Sequence, residues 1–306
     1  MKVAAGLILA LVALPAVAEP LPVRLADGAT WTMTLDHRRE EVRDGTAKSW
    51  TVKSVNQLTW TPGRLTVRPV SVTPGPGAPS ELTLAQGEGL AAELAVEDDL
   101  TPLRILNWPQ VKAGLLAAID RMATPDPSSA AATAATKSLV DGLTDANATA
   151  LVTRDLGMVA LGQGSDLTAG ETFDYEDRIP NPLGGGPITS KASFTLESYD
   201  AKAGRAVVSW RQTMDPEALQ ASIKNSLESL AAQIAPDRVA EARAALSKMS
   251  LERADACRYD IDIPTGLAVR ADCTSTIRSS DGARSGSRTD RRIFTQTLPQ
   301  TSAKTN

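Results

Sequence analysis

Few side chains in this 306-residue chain could act as a nucleophile or a general base. The single histidine, His37, is expected on the apolar face of a β-strand opposite Val52, where a half-buried sheet residue is a better interpretation than a catalytic base. No G-x-S-x-G or S-x-x-K motif is present, and no C-x-x-C pair exists for redox exchange. We therefore predict that the protein is not an enzyme, with acid–base catalysis by carboxylates left open because aspartates are common.

Metal-binding and phosphate-binding patterns are equally sparse. A zinc site needs several His or Cys ligands, and this chain has one histidine and two cysteines. Asp98-Asp99 and Asp260-x-Asp262 could offer oxygens to calcium, but no D-x-[DN]-x-[DN]-G loop accompanies them. The glycine-rich stretch 182–187 lacks a following Lys-Ser/Thr, so it is expected to be a hairpin loop. No metal and no cofactor is predicted.

The charge pattern argues against nucleic acid as a partner. There are 32 Lys and Arg residues against 36 Asp and Glu residues, a formal net charge of −4, so no global basic field exists. Near the carboxyl terminus, a group of arginines is interrupted by Asp281 and Asp290. It comprises Arg278, Arg284, Arg288, Arg291 and Arg292. We expect it on a solvated edge strand, where charge prevents edge-to-edge pairing. Contact with an anionic lipid or lipopolysaccharide is the alternative.

The amino-terminal sequence predicts export. Lys2 precedes an apolar run from Val3 to Leu14, and Ala16-Val17-Ala18 is a small-x-small cleavage site before Glu19. Residues 1–18 are therefore expected to be a signal peptide cleaved after Ala18. The apolar run is shorter than the roughly 20 residues of a membrane-spanning helix, and no later stretch approaches that length. A periplasmic protein that is not transmembrane is predicted, with eukaryotic secretion as the alternative.

The clearest structural pattern lies between Cys257 and Cys273. Period-two alternation on both sides of Pro264-Thr265-Gly266 predicts an antiparallel hairpin with a three-residue turn. The expected register pairs Cys257 with Cys273, and its apolar face collects Tyr259, Ile261, Ile263, Leu267 and Val269. Paired cysteines in an exported chain predict a disulfide. Two separate buried thiols are the alternative.

Two β-meanders are predicted, one in each half of the chain. In the first, from Thr30 to Val72, pairing across two turns places one apolar set on a single face: Trp31, Met33, Leu35, Trp50, Val52, Leu58, Trp60, Leu65 and Val67. In the second, Phe194 faces Trp210 and Leu196 faces Val208. A Gly-x-Thr-aromatic motif recurs at 28–31 and 170–173. It suggests that the two halves of the chain are related by duplication, with chance recurrence as the alternative.

Helical periodicity follows each meander and sets the domain prediction. Helices are expected from Pro109, after the Thr144 cap, from Pro216 and again from Val239. The biased segment at 126–136 is predicted to be a linker. It separates a meander-plus-helix unit (19–125) from a unit with a helix, a meander, two helices and the hairpin (137–298). The polar tail, 299–306, is expected to be disordered.

These elements indicate an α+β fold, in which long antiparallel meanders form a curved sheet or half-barrel with amphipathic helices packed on one face. The order of elements resembles that of periplasmic lipid or lipoprotein carriers of the half-barrel type. The resemblance implies a groove between sheet and helices that shelters acyl chains and is lined by Trp31, Trp50, Trp60, Phe194 and Trp210. The alternative is a closed core filled by these aromatics, in an envelope scaffold or interaction protein. Ligand, partner and oligomeric state stay open.

Overall fold

The computed structural model describes residues 19–78, 90–122, 127–179, 187–230, 239–240, 243–244, 249–280 and 284–299. The strands in these ranges are β1 (Glu19–Pro20), β2 (Thr30–Arg43), β3 (Thr46–Thr61), β4 (Arg64–Pro74), β5 (Ala92–Val96), β6 (Pro102–Ile105), β7 (Asp166–Leu167), β8 (Thr172–Ile179), β9 (Ile188–Asp200), β10 (Arg205–Met214), β11 (Ser250–Asp262), β12 (Leu267–Ser280) and β13 (Ser285–Gln296). The helices are α1 (Trp108–Met122), α2 (Pro127–Asp141), α3 (Asp145–Ala160) and α4 (Pro216–Leu230).

Eleven of these strands form one open antiparallel sheet. Their order is β6-β5-β4-β3-β2-β13-β12-β11-β10-β9-β8, and β1 pairs separately with β7. In the described part of the chain, β6 and β8 are therefore the edges. The helices pack on one face of this sheet, which confirms the predicted α+β curved sheet.

Both predicted meanders form with the expected pairing. In the first, Trp31 pairs with Leu58 and Trp60 with Leu65. In the second, Phe194 pairs with Trp210 and Leu196 with Val208. From β6 to β8 across the sheet, the first meander occurs in the order β4, β3, β2 and the second in the order β10, β9, β8. In both meanders the third strand therefore comes first. That shared order agrees with related halves, and a duplication stays a prediction.

The last strand, β13, lies at the centre of the sheet and corrects the edge-strand expectation. It pairs with β2 on one side and with β12 on the other. The expectation was wrong because charge density does not by itself reveal exposure: alternate residues of a strand point to opposite faces. Arg292 is buried on the helix-covered face, whereas its neighbour Arg291 is exposed on the open face.

Strands β11 and β12 form the predicted hairpin, with a disulfide between Cys257 and Cys273, whose Cα atoms are 4.1 Å apart. In the chain-entropy model this bond contributes about 3 kcal/mol. The predicted register holds as far as Asp260 and then changes, because Val269 is an extra residue in a β-bulge. Ala268 therefore pairs with Ile261 and is fully buried, while Val269 is half-buried.

The helices begin largely as predicted. Thr144 caps α3, since its Oγ1 accepts a hydrogen bond from the Asn147 backbone N–H at 3.2 Å. Asp215 caps α4 by accepting from the Ala218 N–H at 2.8 Å. The segment expected to be a linker at 126–136 is helical from Pro127 onward. Its composition is alanine-rich, and alanine has the highest helix propensity; the domain boundaries themselves stay a prediction.

Two apolar clusters fill the helix-covered face. The larger joins both meanders, the hairpin, α1 and α3, and includes Trp31, Leu196, Val208, Tyr259 and Phe294. The smaller lies under α4 and consists of Ile188, Met214, Leu219 and Leu251. The two halves of the sequence therefore contribute to the same larger cluster.

Several predictions from sequence fall outside the described residues. They are the signal peptide (1–18), the glycine-rich stretch at 182–186, most of the helix expected from Val239, and the tail beyond Pro299. No helix in the described ranges is long and apolar enough to cross a membrane.

Candidate functional site

A band of buried polar side chains crosses the helix-covered face between the two apolar clusters. Along β10, for example, Gln212 lies between Trp210 of the larger cluster and Met214 of the smaller one. The band includes His37, Ser190, Gln212, Asp255, Ser275, Asp290 and Arg292, all less than a tenth exposed. Buried polar groups cost free energy unless they are partnered. The partners of these groups therefore determine what the band can do.

Asp290 is the centre of this band and is 2% exposed. Its Oδ1 accepts from Arg39 Nε at 2.7 Å and contacts His37 Nε2 at 2.8 Å. Its Oδ2 lies 2.9 Å from Arg288 Nε in an ion pair, although the angle there does not satisfy a hydrogen bond. The Arg39 guanidinium also lies over the Trp50 ring, 4.9 Å from its centroid.

The protonation states of Asp290 and His37 follow from burial and hydrogen bonding. Burial by itself would raise the pKa of Asp290, but hydrogen bonds from His37 and Arg39 and the charges of Arg39 and Arg288 hold it well below its usual range. Burial lowers the pKa of His37 and outweighs the opposing effect of Asp290. Near neutral pH, Asp290 is thus ionised and His37 is neutral. Nε2 of His37 carries the proton, because an ionised carboxylate can only accept.

Arg292 is a second buried charge, next to Asp290 along β13. Its side chain is 6% exposed, and its Nε lies 3.5 Å from Asp155 Oδ1 on α3. Asp155 is 32% exposed and also lies 3.4 Å from Arg154 Nε. Burial lowers the pKa of Arg292, and the neighbouring cations Arg154 and Arg39 act in the same direction. We call the set His37, Arg39, Arg154, Asp155, Arg288, Asp290 and Arg292 the charged cluster.

This cluster does not form a nucleophile–base pair. The sequence correctly placed His37 opposite Val52, but His37 is more deeply buried than expected, at 7% exposure. Its ring packs edge-on against Trp50 with 4.8 Å between centroids. Among the described residues, no Ser, Thr or Cys side chain hydrogen-bonds to His37. Sequence reasoning missed the cluster, although Arg288-x-Asp290-x-Arg292 has the period-two spacing that puts all three side chains on one face.

The five aromatic residues predicted to line a groove are divided among separate places. Trp31 and Trp210 are buried, at 3% and 5% exposure. Trp31 Nε1 donates to Gln296 Oε1 at 2.6 Å, and Trp210 Nε1 donates to the Tyr175 hydroxyl at 3.1 Å.

The other three are half-buried. Trp60 packs against the larger cluster, and its buried Nε1 has no hydrogen-bond partner among the described residues. Trp50 lies beside the charged cluster, and Phe194 packs beside Trp210. The structure thus brings Phe194 and Trp210 together and does not gather all five around one space.

Phe194 and Trp210 belong to an aromatic ladder that reaches the sheet edge at β8. Phe173 stacks on Tyr175 and Tyr175 on Phe194, both with 5.8 Å between centroids, and Phe194 lies 6.5 Å from Trp210. Phe173, at the outer end, is 54% exposed. Sequence reasoning missed Phe173 and Tyr175 as candidate site residues. Their i, i+2 spacing before a second aromatic strand was the available signal.

The opposite face of the sheet carries no helix in the described ranges, and broad grooves open on it. A groove of about 460 Å³ is lined in part by Arg38, Arg258, Asp272 and Arg291. Arg291 donates to both oxygens of Asp272, at 3.0 and 2.7 Å, and Arg258 pairs with Asp260 at 3.0 Å. Since its arginines have carboxylate partners, this groove forms a surface salt-bridge ladder and has no unpaired basic patch.

Three of the four aspartates considered as calcium ligands, Asp99, Asp260 and Asp262, have structural partners. Asp262 accepts from the Thr265 hydroxyl at 2.7 Å in the hairpin turn, and Asp99 accepts from the Thr101 N–H at 2.8 Å. No group of three or more His, Cys, Asp or Glu side chains that could hold a metal occurs in the described residues.

Comparison with known proteins gives no relative from which a function could be transferred. No protein-family model matches the chain, and a search of curated proteins finds no match. Among solved structures, Pseudomonas aeruginosa OccK5 (OpdH) is 9% identical with a TM-score of 0.20, covering 89% of this chain and 98% of that one. Pseudomonas aeruginosa OccK11 (OpdR) is 7% identical with a TM-score of 0.17, covering 90% and 99%. Likeness at this level carries no functional argument, so function has to be argued from the residues.

Proposed function

We propose that this is an exported, non-enzymatic envelope protein that binds a partner polypeptide along the edge of β8. The observation that carries the proposal is Phe173, a large apolar side chain 54% exposed on an edge strand. Aromatic side chains are enriched at protein interfaces. A sheet edge offers free backbone N–H and C=O groups to an added strand.

The chemistry of β8 defines the partner that fits it. Phe173 and Tyr175 point to the ladder face, where they suit apolar or aromatic residues of an added strand. Asp174 and Glu176 alternate with them and point to the open face, where they suit Lys or Arg. The partner segment therefore alternates apolar and basic residues, and backbone pairing along the edge supplies the rest of the binding energy.

The packing of the core favours an interaction protein rather than a carrier with a lipid-binding groove. Trp31 and Trp210, two of the five predicted groove residues, are almost completely buried and hydrogen-bonded to neighbouring side chains. Leu196, Val208 and Tyr259 belong to the same apolar cluster and have no exposed surface. An acyl chain would have to displace packed side chains, so the carrier hypothesis has less support than an interaction protein with a closed core.

Export to the periplasm, after cleavage following Ala18, is part of the proposal. The disulfide between Cys257 and Cys273 supports it, because such bonds persist in oxidising compartments. Both cysteines are buried in the core.

Site-specific photo-crosslinking in cells tests the binding edge. A photoreactive phenylalanine analogue at position 173 is expected to crosslink one reproducible envelope polypeptide. The matched control is the analogue at Val70, an equally exposed apolar side chain (58%) on β4, which is expected to give none. Adding Phe173→Ser to a chain that carries the analogue at 175 should abolish the crosslink. Equal crosslinking at 70 and 173, or no polypeptide at 173, would overturn the proposal.

A further inference from the structure

The charged cluster carries more positive charge than its own carboxylates neutralise. Four guanidinium groups, those of Arg39, Arg154, Arg288 and Arg292, face the carboxylates of Asp155 and Asp290. His37 contributes no charge at neutral pH, because burial lowers its pKa. On β11, two strands away from β13, Arg253 and Asp255 pair with each other at 3.1 Å, so they do not change the net charge of the site. Among the described residues, two positive charges are therefore left over in a site that extends from the buried Arg292 to the exposed Arg154.

Arg292 is the least compensated of these groups. Asp290 is occupied by His37, Arg39 and Arg288, and Asp155 is shared with Arg154 and partly solvated. The buried Nε of Arg292 has no hydrogen-bond acceptor within the described residues, since the 3.5 Å separation from Asp155 is an ion pair only. A buried cation whose N–H groups lack acceptors is costly in free energy, so an anion that accepts a hydrogen bond from this Nε would stabilise the site.

We propose that Arg292, together with Arg39, Arg154 and Arg288, binds a small oxyanion such as inorganic phosphate. Guanidinium groups bind phosphate and carboxylate through paired N–H donors. Arg154, Arg288 and Arg39 form the solvent-facing side of this site, at 58%, 40% and 25% exposure. Arg292 itself is too buried to touch a membrane surface, so the ligand is a free anion. This site is separate from the β8 edge and does not depend on the proposed polypeptide partner.

Isothermal titration calorimetry with inorganic phosphate, at constant ionic strength set by chloride, tests the site. Wild-type protein is expected to bind one phosphate saturably, and Arg292→Gln to lose at least tenfold in affinity. Arg270→Gln is the matched control, since Arg270 is 45% exposed on the opposite face and pairs with Asp272 at 3.6 Å. It is expected to bind phosphate as the wild type does.

A second variant keeps the proposal testable where Arg292→Gln fails to fold. Arg154→Gln changes an exposed residue of α3 and should still weaken phosphate binding severalfold. No saturable binding by the wild type would overturn the proposal. So would equal affinity in the wild type, Arg154→Gln and Arg292→Gln, which would mean adventitious binding elsewhere.

Discussion

Asp290 is the residue on which the charged cluster depends. It lies on the central strand of the sheet and contacts a histidine and two arginines through its two oxygens. Buried ion pairs contribute little net stability, but removing one partner costs about 3–5 kcal/mol because the remaining charges stay buried. The cluster therefore fixes how β2, β13 and their side chains are arranged, and it makes the stability of the fold depend on the protonation of its members.

His37 gives this sensitivity a defined direction. Its pKa in the folded protein is below its ordinary value of 6.5, with burial as the main cause. As the pH falls through 6.5, the unfolded chain therefore binds the proton more readily than the folded one. Stability contributed by neutral, buried His37 is present above pH 6.5 and is lost as the pH falls below it. Asp290 does not interfere in this range, because its lowered pKa keeps it ionised.

Urea unfolding at pH 8 and pH 5.5 measures this effect. The wild type is expected to lose stability on acidification, and His37→Gln to lose clearly less, because glutamine can still donate to Asp290 and does not titrate. Acidic groups elsewhere are the same in both proteins and cancel in the comparison. Identical losses in the two proteins would show that His37 is not the titrating group.

At the scale of elements, the end of α3 is held against the hairpin by one close approach. Gly162 follows α3, and a Cβ atom there would lie 2.3 Å from the ring of Tyr259 on β11. The Tyr259 hydroxyl donates to the Met158 carbonyl at 2.8 Å, and burial raises the pKa of this tyrosine above its usual range. Helix and hairpin are thereby fixed together, which also positions Asp155 near Arg292.

Two glycine substitutions near this contact should have opposite effects. Gly162→Ala forces the Tyr259 ring to move and is expected to destabilise the protein by roughly 1–3 kcal/mol through overpacking. Gly157→Ala places a methyl group where no atom lies within 4 Å and should stabilise α3 by roughly 0.5–1 kcal/mol. Thermal unfolding of both variants checks the signs. A neutral Gly162→Ala would mean that α3 does not approach the hairpin this closely.

The sequence predicted pairing between strands joined by short turns and failed where pairing is remote. Asp44-Gly45 and Pro62-Gly63 define their turns, so the register of Trp31, Trp60 and their partners followed from local alternation. The bulge at Val269 was not predictable, since Leu267, Ala268 and Val269 are all apolar and therefore fit the core face in either register. The place of β13 was not predictable either, because it pairs with a strand about 250 residues away, and nothing local encodes that contact.

The candidate sites were less predictable than the fold. The five aromatic positions predicted to line a groove lie buried or half-buried, and their division among a core, a cluster and a ladder depends on the order of strands. The charged cluster likewise needs β2, β13 and α3 together. Its residues span nearly the whole chain, from His37 to Arg292.

At the scale of the whole molecule, β13 joins the two meanders into one sheet. It pairs with β2 of the first meander and with the hairpin that continues into β10 of the second. One face of the resulting sheet packs against helices, and the other remains polar. We propose the exposed edge at β8 and the charged cluster as the binding surfaces, while the aromatic interior serves stability.

Native mass spectrometry of protein expressed in full length and purified gently from the periplasm tests this account most directly. We expect the mass of residues 19–306 with one disulfide and no bound lipid, because Trp31 and Trp210 fill the core. Phosphate adducts are compatible with the charged cluster. A species carrying an acyl-chain ligand that survives purification would contradict the closed core and restore the lipid-carrier hypothesis.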